Sequence, residues 1–99
     1  MKVVIYAYEN IFGGLHGINT GGVFDVGDIS ESSVIGEELA YDVIDSYSHV
    51  FEDYDREEVK EGIAWEVYQV REDTGMTTAQ LDKEYARLGF EDFVNEYCF

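Results

Sequence analysis

The stretch VKEGIAWEVYQVR, residues 59–71, admits two readings, and the fold turns on which of them holds. Val59, Ile63, Val67 and Val70 recur at helical spacing, whereas Ile63, Trp65 and Val67 alternate with Ala64 and Glu66 as on a half-buried strand. Gly62 weakens a helix here, and the β-branched and aromatic residues after it suit a pleated surface. The stretch therefore predicts a strand at about 63–70.

Toward the N-terminus, KVVIYAY at 2–8 is β-branched and aromatic throughout, the composition of a strand covered on both faces or at least well packed on one. VFDVGD at 23–28 sets Phe24 and Val26 against Asp25 and reads as its antiparallel partner. Between 28 and 51, one of Ser30, Ser32 or Ser33 caps a helix running to about Val50, because Leu39, Val43, Tyr47 and Val50 recur on one side. Toward the C-terminus, Asp73, Thr74 and Gly75 make a turn. Thr77 or Thr78 then caps a helix carrying Leu81, Tyr85 and Leu88, and Gly89 ends it. A last helical piece presents Phe90, Phe93, Val94 and Tyr97. The order ββαβα predicts an α+β fold: a small three-stranded, mainly antiparallel sheet with two to three helices on one face. With no proline, linker or repeat to mark a boundary, residues 1–99 read as a single domain.

Composition narrows the function classes. The chain carries 22 acidic against six basic residues, a formal charge of -16, where solubility asks a magnitude of roughly 2 to 8 of a small domain. Disorder is not expected, since 45% of the chain is hydrophobic and 15% aromatic. A lone Cys98 excludes an intramolecular disulfide framework. No apolar run approaches the roughly 18 residues of a membrane span, and the N-terminus turns polar too soon for a signal peptide. A cytoplasmic protein is expected.

Five of the ten glycines fall within FGGLHGINTGG, residues 12–22, a density seen where backbone closes round phosphate. The chemistry for that is missing. Gly22 is followed by Val23, Phe24 and Asp25, not by a lysine opening a helix, and no cation lies between Lys2 and Arg56. The stretch reads as a hairpin connection, or as a secondary contact loop in which Phe12, Leu15, His16 and Ile18 order on a partner.

The charge itself is the stronger signal. Residues 29–62 hold eleven of the acids and two of the bases. At helical spacing Glu38, Asp42 and Asp45 form a row about 5 to 6 Å apart, opposite the apolar side, which costs an isolated helix a few tenths of a kcal/mol per like pair. Such a row resembles the phosphates of a nucleic-acid backbone, and a protein that grips phosphate with Lys and Arg can accept it instead. With Glu31, Glu52, Asp53 and Asp55 it makes a candidate partner-binding face, and Tyr54, set among acids, is its candidate aromatic contact.

In size, acidity and aromatic content the chain resembles the small phage and mobile-element antidefence proteins, the DNA-mimic antirestriction and anti-CRISPR inhibitors. The resemblance covers overall size and charge, with the acidic face as its site. It implies an inhibitor that blocks the basic nucleic-acid-binding site of a partner, such as a host defence nuclease complex, without itself binding nucleic acid or a membrane. The rival expectation is a small regulatory or adaptor module docking through the glycine-rich loop and an aromatic patch.

Catalytic motifs are missing. His16 and His49 lack zinc spacing, and Asp53 to Glu58 lacks the glycine and terminal glutamate of a calcium loop. His49 reads as a helix-terminal charge partner or a half-buried packing residue, and Cys98 as a packed thiol without a cationic neighbour. The sequence implies no enzyme, no cofactor and no metal site.

Overall fold

The computed structural model describes residues 1–10 and 19–99. Three strands, β1 (Lys2–Glu9), β2 (Asn19–Asp25) and β3 (Ile63–Gln69), form one antiparallel sheet in the order β2-β1-β3. The ambiguous stretch is thus a strand, Ile63–Gln69. Ile5 of β1 sits opposite Gly22 on one side and Val67 on the other.

Among the described residues five α-helices accompany the sheet: α1 (Ser32–Ser46), α2 (Ser48–Phe51), α3 (Arg56–Glu61), α4 (Thr78–Leu88) and α5 (Phe90–Tyr97). The α+β class and the antiparallel sheet agree with expectation, but the helices do not share one face. Val3, Ile5 and Ala7 pack with Leu39, Ala40 and Val43 of α1, together with Phe51, Val59 and Ile63. Val4 and Val23, on the opposite side of the pleat, pack with Leu81 of α4 and Phe93 and Val94 of α5. The reason lies in β1. Its residues are apolar on both sides of the pleat, and covering only one would leave Val4, Tyr6 and Tyr8 to water. As the central strand between two helical layers, β1 has Val3, Val4, Ile5 and Ala7 fully buried.

Three boundaries differ from the sequence reading. Strand β2 begins at Asn19 and takes Gly21 and Gly22 into its interior instead of starting at 23. A β carbon at Gly21 would sit 2.6 Å from the Ile5 carbonyl oxygen and collide with the Tyr85 hydroxyl, so this glycine lets Tyr85 lie against the strand. The helix expected to reach Val50 breaks at Tyr47, whose backbone (φ -119°, ψ 34°) leaves the helical region. Its last turn becomes α2. Residues 56–61, read as a charge run, form α3: Asp55 caps it by accepting from the Glu57 N–H at 2.9 Å, and Val59 docks it in the core. By contrast α4 starts at its Thr77–Gln80 capping box and stops at Gly89, as its local signals dictate.

The two sheet edges are treated differently. On β2 the Val23 N–H points away from β1 and donates to Asp82 Oδ1 of α4 at 3.0 Å, while Thr78 Oγ1 donates to Asp25 at 3.0 Å. Helix α4 thereby covers that edge. On β3 the flanking bonds, Asn10 N–H to the Gly62 carbonyl (2.8 Å) and Val70 N–H to the Lys2 carbonyl (2.9 Å), fix which residues face β1. In that register Ala64, Glu66 and Tyr68 bond to β1, and the backbone groups of Trp65 and Val67 point outward.

Candidate partner-binding face

The acidic third of the chain comprises α1, α2, α3 and the turns that flank them. All eleven carboxylates between Glu31 and Glu61 are exposed. Helix α1 buries Leu39, Ala40, Val43 and Ile44 against the sheet and so turns Glu38, Asp42 and Asp45 outward.

The two cations of this third do not lie free among the acids. Arg56 of α3 donates two hydrogen bonds to Asp45 of α1, at 2.8 and 3.2 Å, and Lys60 pairs with Glu37 one turn of α3 further on. Tyr41 lies between them. The Arg56 guanidinium stands 4.8 Å and the Lys60 ammonium 5.5 Å from its ring centroid, and its hydroxyl donates to Glu57 at 3.3 Å. The bond to Glu37 raises the Lys60 ammonium above its ordinary pKa.

The expected row of Glu38, Asp42 and Asp45 lies exposed on α1, with one member paired. Asp45 is tied to Arg56, whereas Glu38 and Asp42 carry no ion pair among the described residues. Glu31 accepts from the Gly27 N–H at 3.0 Å and closes the turn before α1. Asp55 is engaged as the cap of α3. Glu52 and Asp53 are exposed where α2 leads into α3, and Tyr54 beside them is 46% exposed.

Between α1, α2 and the start of α3 lies an open groove of about 470 Å³, with Ile44, Phe51 and Val59 at its base and Asp45, Glu52, Tyr54, His49 and Arg56 on its walls. Asp45, Glu52 and Tyr54 were candidates from the sequence; His49, Arg56 and Ser48 were not. His49 is exposed, not half-buried, and its ring centroid stands 6.4 Å from that of Tyr47. Arg56 gave a signal in retrospect, a cation standing alone in an acidic run, but its partner eleven residues away was not legible.

Phe12, Leu15, His16 and Ile18 lie outside the described residues. Among the described residues no three His, Cys, Asp or Glu side chains form a group that could hold a metal ion. Cys98 has a cationic neighbour after all, Arg71, but burial outweighs it and raises the thiol pKa. No helix among the described residues is long and apolar enough to cross a membrane.

Fold and face together define a small α+β domain with an acidic helical layer on one side of its sheet. Compared with protein families, curated proteins and solved structures, the chain matches none.

Proposed function

We propose that the protein is an acidic decoy: a cytoplasmic inhibitor that blocks the basic nucleic-acid-binding site of a partner, of the phage antirestriction or anti-CRISPR kind. One observation carries this reading. Eleven exposed carboxylates lie between Glu31 and Glu61, seven of them on α1 and α3 and the others in the turns that flank these helices, while both cations of the same segment are bound back onto α1. Glu38, Asp42, Glu52, Asp53, Glu58 and Glu61 remain exposed, with no ion pair among the described residues. Unpaired like charges cost the fold a little and return nothing to it, whereas a channel lined by Lys and Arg gains from each.

The test is capture from a nuclease-treated host lysate on the immobilised protein, beside a Glu38→Lys/Asp42→Lys variant of equal stability. The expected result is a basic nucleic-acid-binding complex that elutes as salt rises, since exposed charges are screened over roughly 8 Å at physiological ionic strength. Recovery should fall about tenfold or more on the variant. Equal recovery on both proteins, or a partner held through high salt, would sink the decoy.

A second reading, an adaptor docking through the glycine-rich loop and an aromatic patch, draws on the partly exposed rings of Tyr6, Tyr68 and Phe90. It expects salt-resistant capture, so the same wash separates the two.

A further inference from the structure

On the other side of the sheet from the acidic helices, the free edge of β3 borders a groove of different chemistry. The groove, about 350 Å³, lies between β3 and α5 and is walled by Tyr68, Phe90 and Phe99 with Glu66 and Glu91 on its rim. Tyr68 and Phe90 stand 5.8 Å apart, Phe99 meets Tyr68 edge-on at 6.0 Å, and Phe90 stacks on Tyr6 at 4.6 Å. Phe99 is 71% exposed. Arg71 is the nearby cation, and it is occupied with the Phe99 carbonyl and Asp73.

The edge supplies backbone hydrogen bonds. The N–H and C=O groups of Trp65 and Val67 point away from β1, and among the described residues no side chain bonds to them as Asp82 bonds to Val23. A strand laid along this edge would place every second side chain on the α5 side, beside Glu66 and Tyr68. Aromatic faces with two carboxylates at the rim are the surroundings that an arginine or lysine side chain prefers.

We propose that β3 is a strand-addition site for an extended, Arg- or Lys-bearing segment of a partner protein. The edge supplies affinity through the backbone, and the aromatic groove selects the cationic side chain. The partner's chemistry follows from complementarity. A second copy of this chain would bring another -16 of charge and set its own Glu66 near this one. This site is separate from the α1–α3 face, and it stands or falls independently of the decoy reading.

The probe is a fluorescent heptapeptide alternating Arg with Val, compared with the same peptide N-methylated on the amides that would face the edge. A protein this acidic attracts any cationic peptide, so the backbone-blocked peptide is the deciding control. Binding is read by anisotropy, and its location by amide chemical shifts. The unmodified peptide should shift the Trp65, Val67 and Gln69 amides and should bind about tenfold or more tightly than the N-methylated one. Val67→Pro removes an outward N–H without breaking a bond to β1, and should cause a comparable loss. Glu66→Lys should weaken binding while leaving the fold intact. Equal binding of the two peptides, or shifts confined to α1–α3, would reduce the effect to bulk charge and overturn the proposal. So would self-association through β3 that Val67→Pro abolishes, which would make the occupant a second copy.

Discussion

Gly36 sits where α1 crosses the indole of Trp65, and a β carbon there would lie 2.5 to 2.7 Å from the ring. In an open helix, alanine would be favoured over glycine by about 1 kcal/mol. Here the collision dominates, because forcing volume into a packed contact costs typically about 1 to 3 kcal/mol. Gly36→Ala is therefore expected to destabilise the protein despite its better helix propensity, and urea unfolding of the two proteins reads the sign. An unchanged or raised midpoint would mean that α1 and Trp65 can part without cost. Tyr85 gives a second residue-level outcome. Burial, aided by Tyr6 and Asp82, pushes its phenol up to about 12 from an ordinary 10.0. A raised pKa favours the neutral folded form, so the stability linked to Tyr85 is present below pH 10 and is lost as pH rises toward about 12. Stability measured across that window should fall less steeply for Tyr85→Phe than for the parent; identical slopes would place the alkaline sensitivity elsewhere. Neither contact was legible in the sequence. Gly36 looked like any helical glycine and Gly21 like part of a turn, because the residues that require them, Trp65 and Tyr85, are distant in the chain.

At the scale of elements, legibility followed how local the cause was. Helix α4 could be read almost to the residue, since Thr77, Gln80 and Gly89 specify its ends through bonds within a few positions. Removing that cap with Thr77→Ala should cost on the order of 1 kcal/mol, measured by denaturant unfolding. A loss below a few tenths would mean that α4 is held by Leu81 and the β2 edge alone. Helix α3 went unread because six residues, most of them charged, have little helical tendency by themselves. Its formation depends on buried Val59 and on Arg56 and Lys60 lying across Tyr41. The same docking explains the partial legibility of the acidic face. Helical spacing was enough to find Glu38 and Asp42, but the loss of Asp45 to Arg56 required knowing that α3 folds back on α1.

For the whole molecule, the sequence displayed the charge imbalance openly and concealed how the sheet is covered. The composition of β1 allowed cover on both faces or on one, and the choice between them depends on where α4 and α5 return, which periodicity does not encode. The charge has its own consequence for stability. With -16 spread over a chain of 99 residues, self-repulsion opposes the compact state, and salt relieves it as the screening length falls from about 30 Å at 0.01 M to about 8 Å at 0.15 M. The thermal midpoint is expected to rise over that range; a flat or falling midpoint would show that pairs such as Arg56 with Asp45 outweigh the repulsion.

The position of β1 also bears on how the chain acquires its structure. The middle strand precedes both of its neighbours in the sequence, while its second neighbour, β3, and its second cover, Phe93 and Val94, lie about 60 to 90 residues further along the chain. Hydrogen bonding of Val70 to Lys2 and of Val23 to Asp82 must close long stretches of chain before either contact yields any stabilisation. Helices α1 and α4 draw on contacts within a few positions, whereas the pairing of β3 with β1 is expected to come late, at a rate governed by chain closure more than by helix growth.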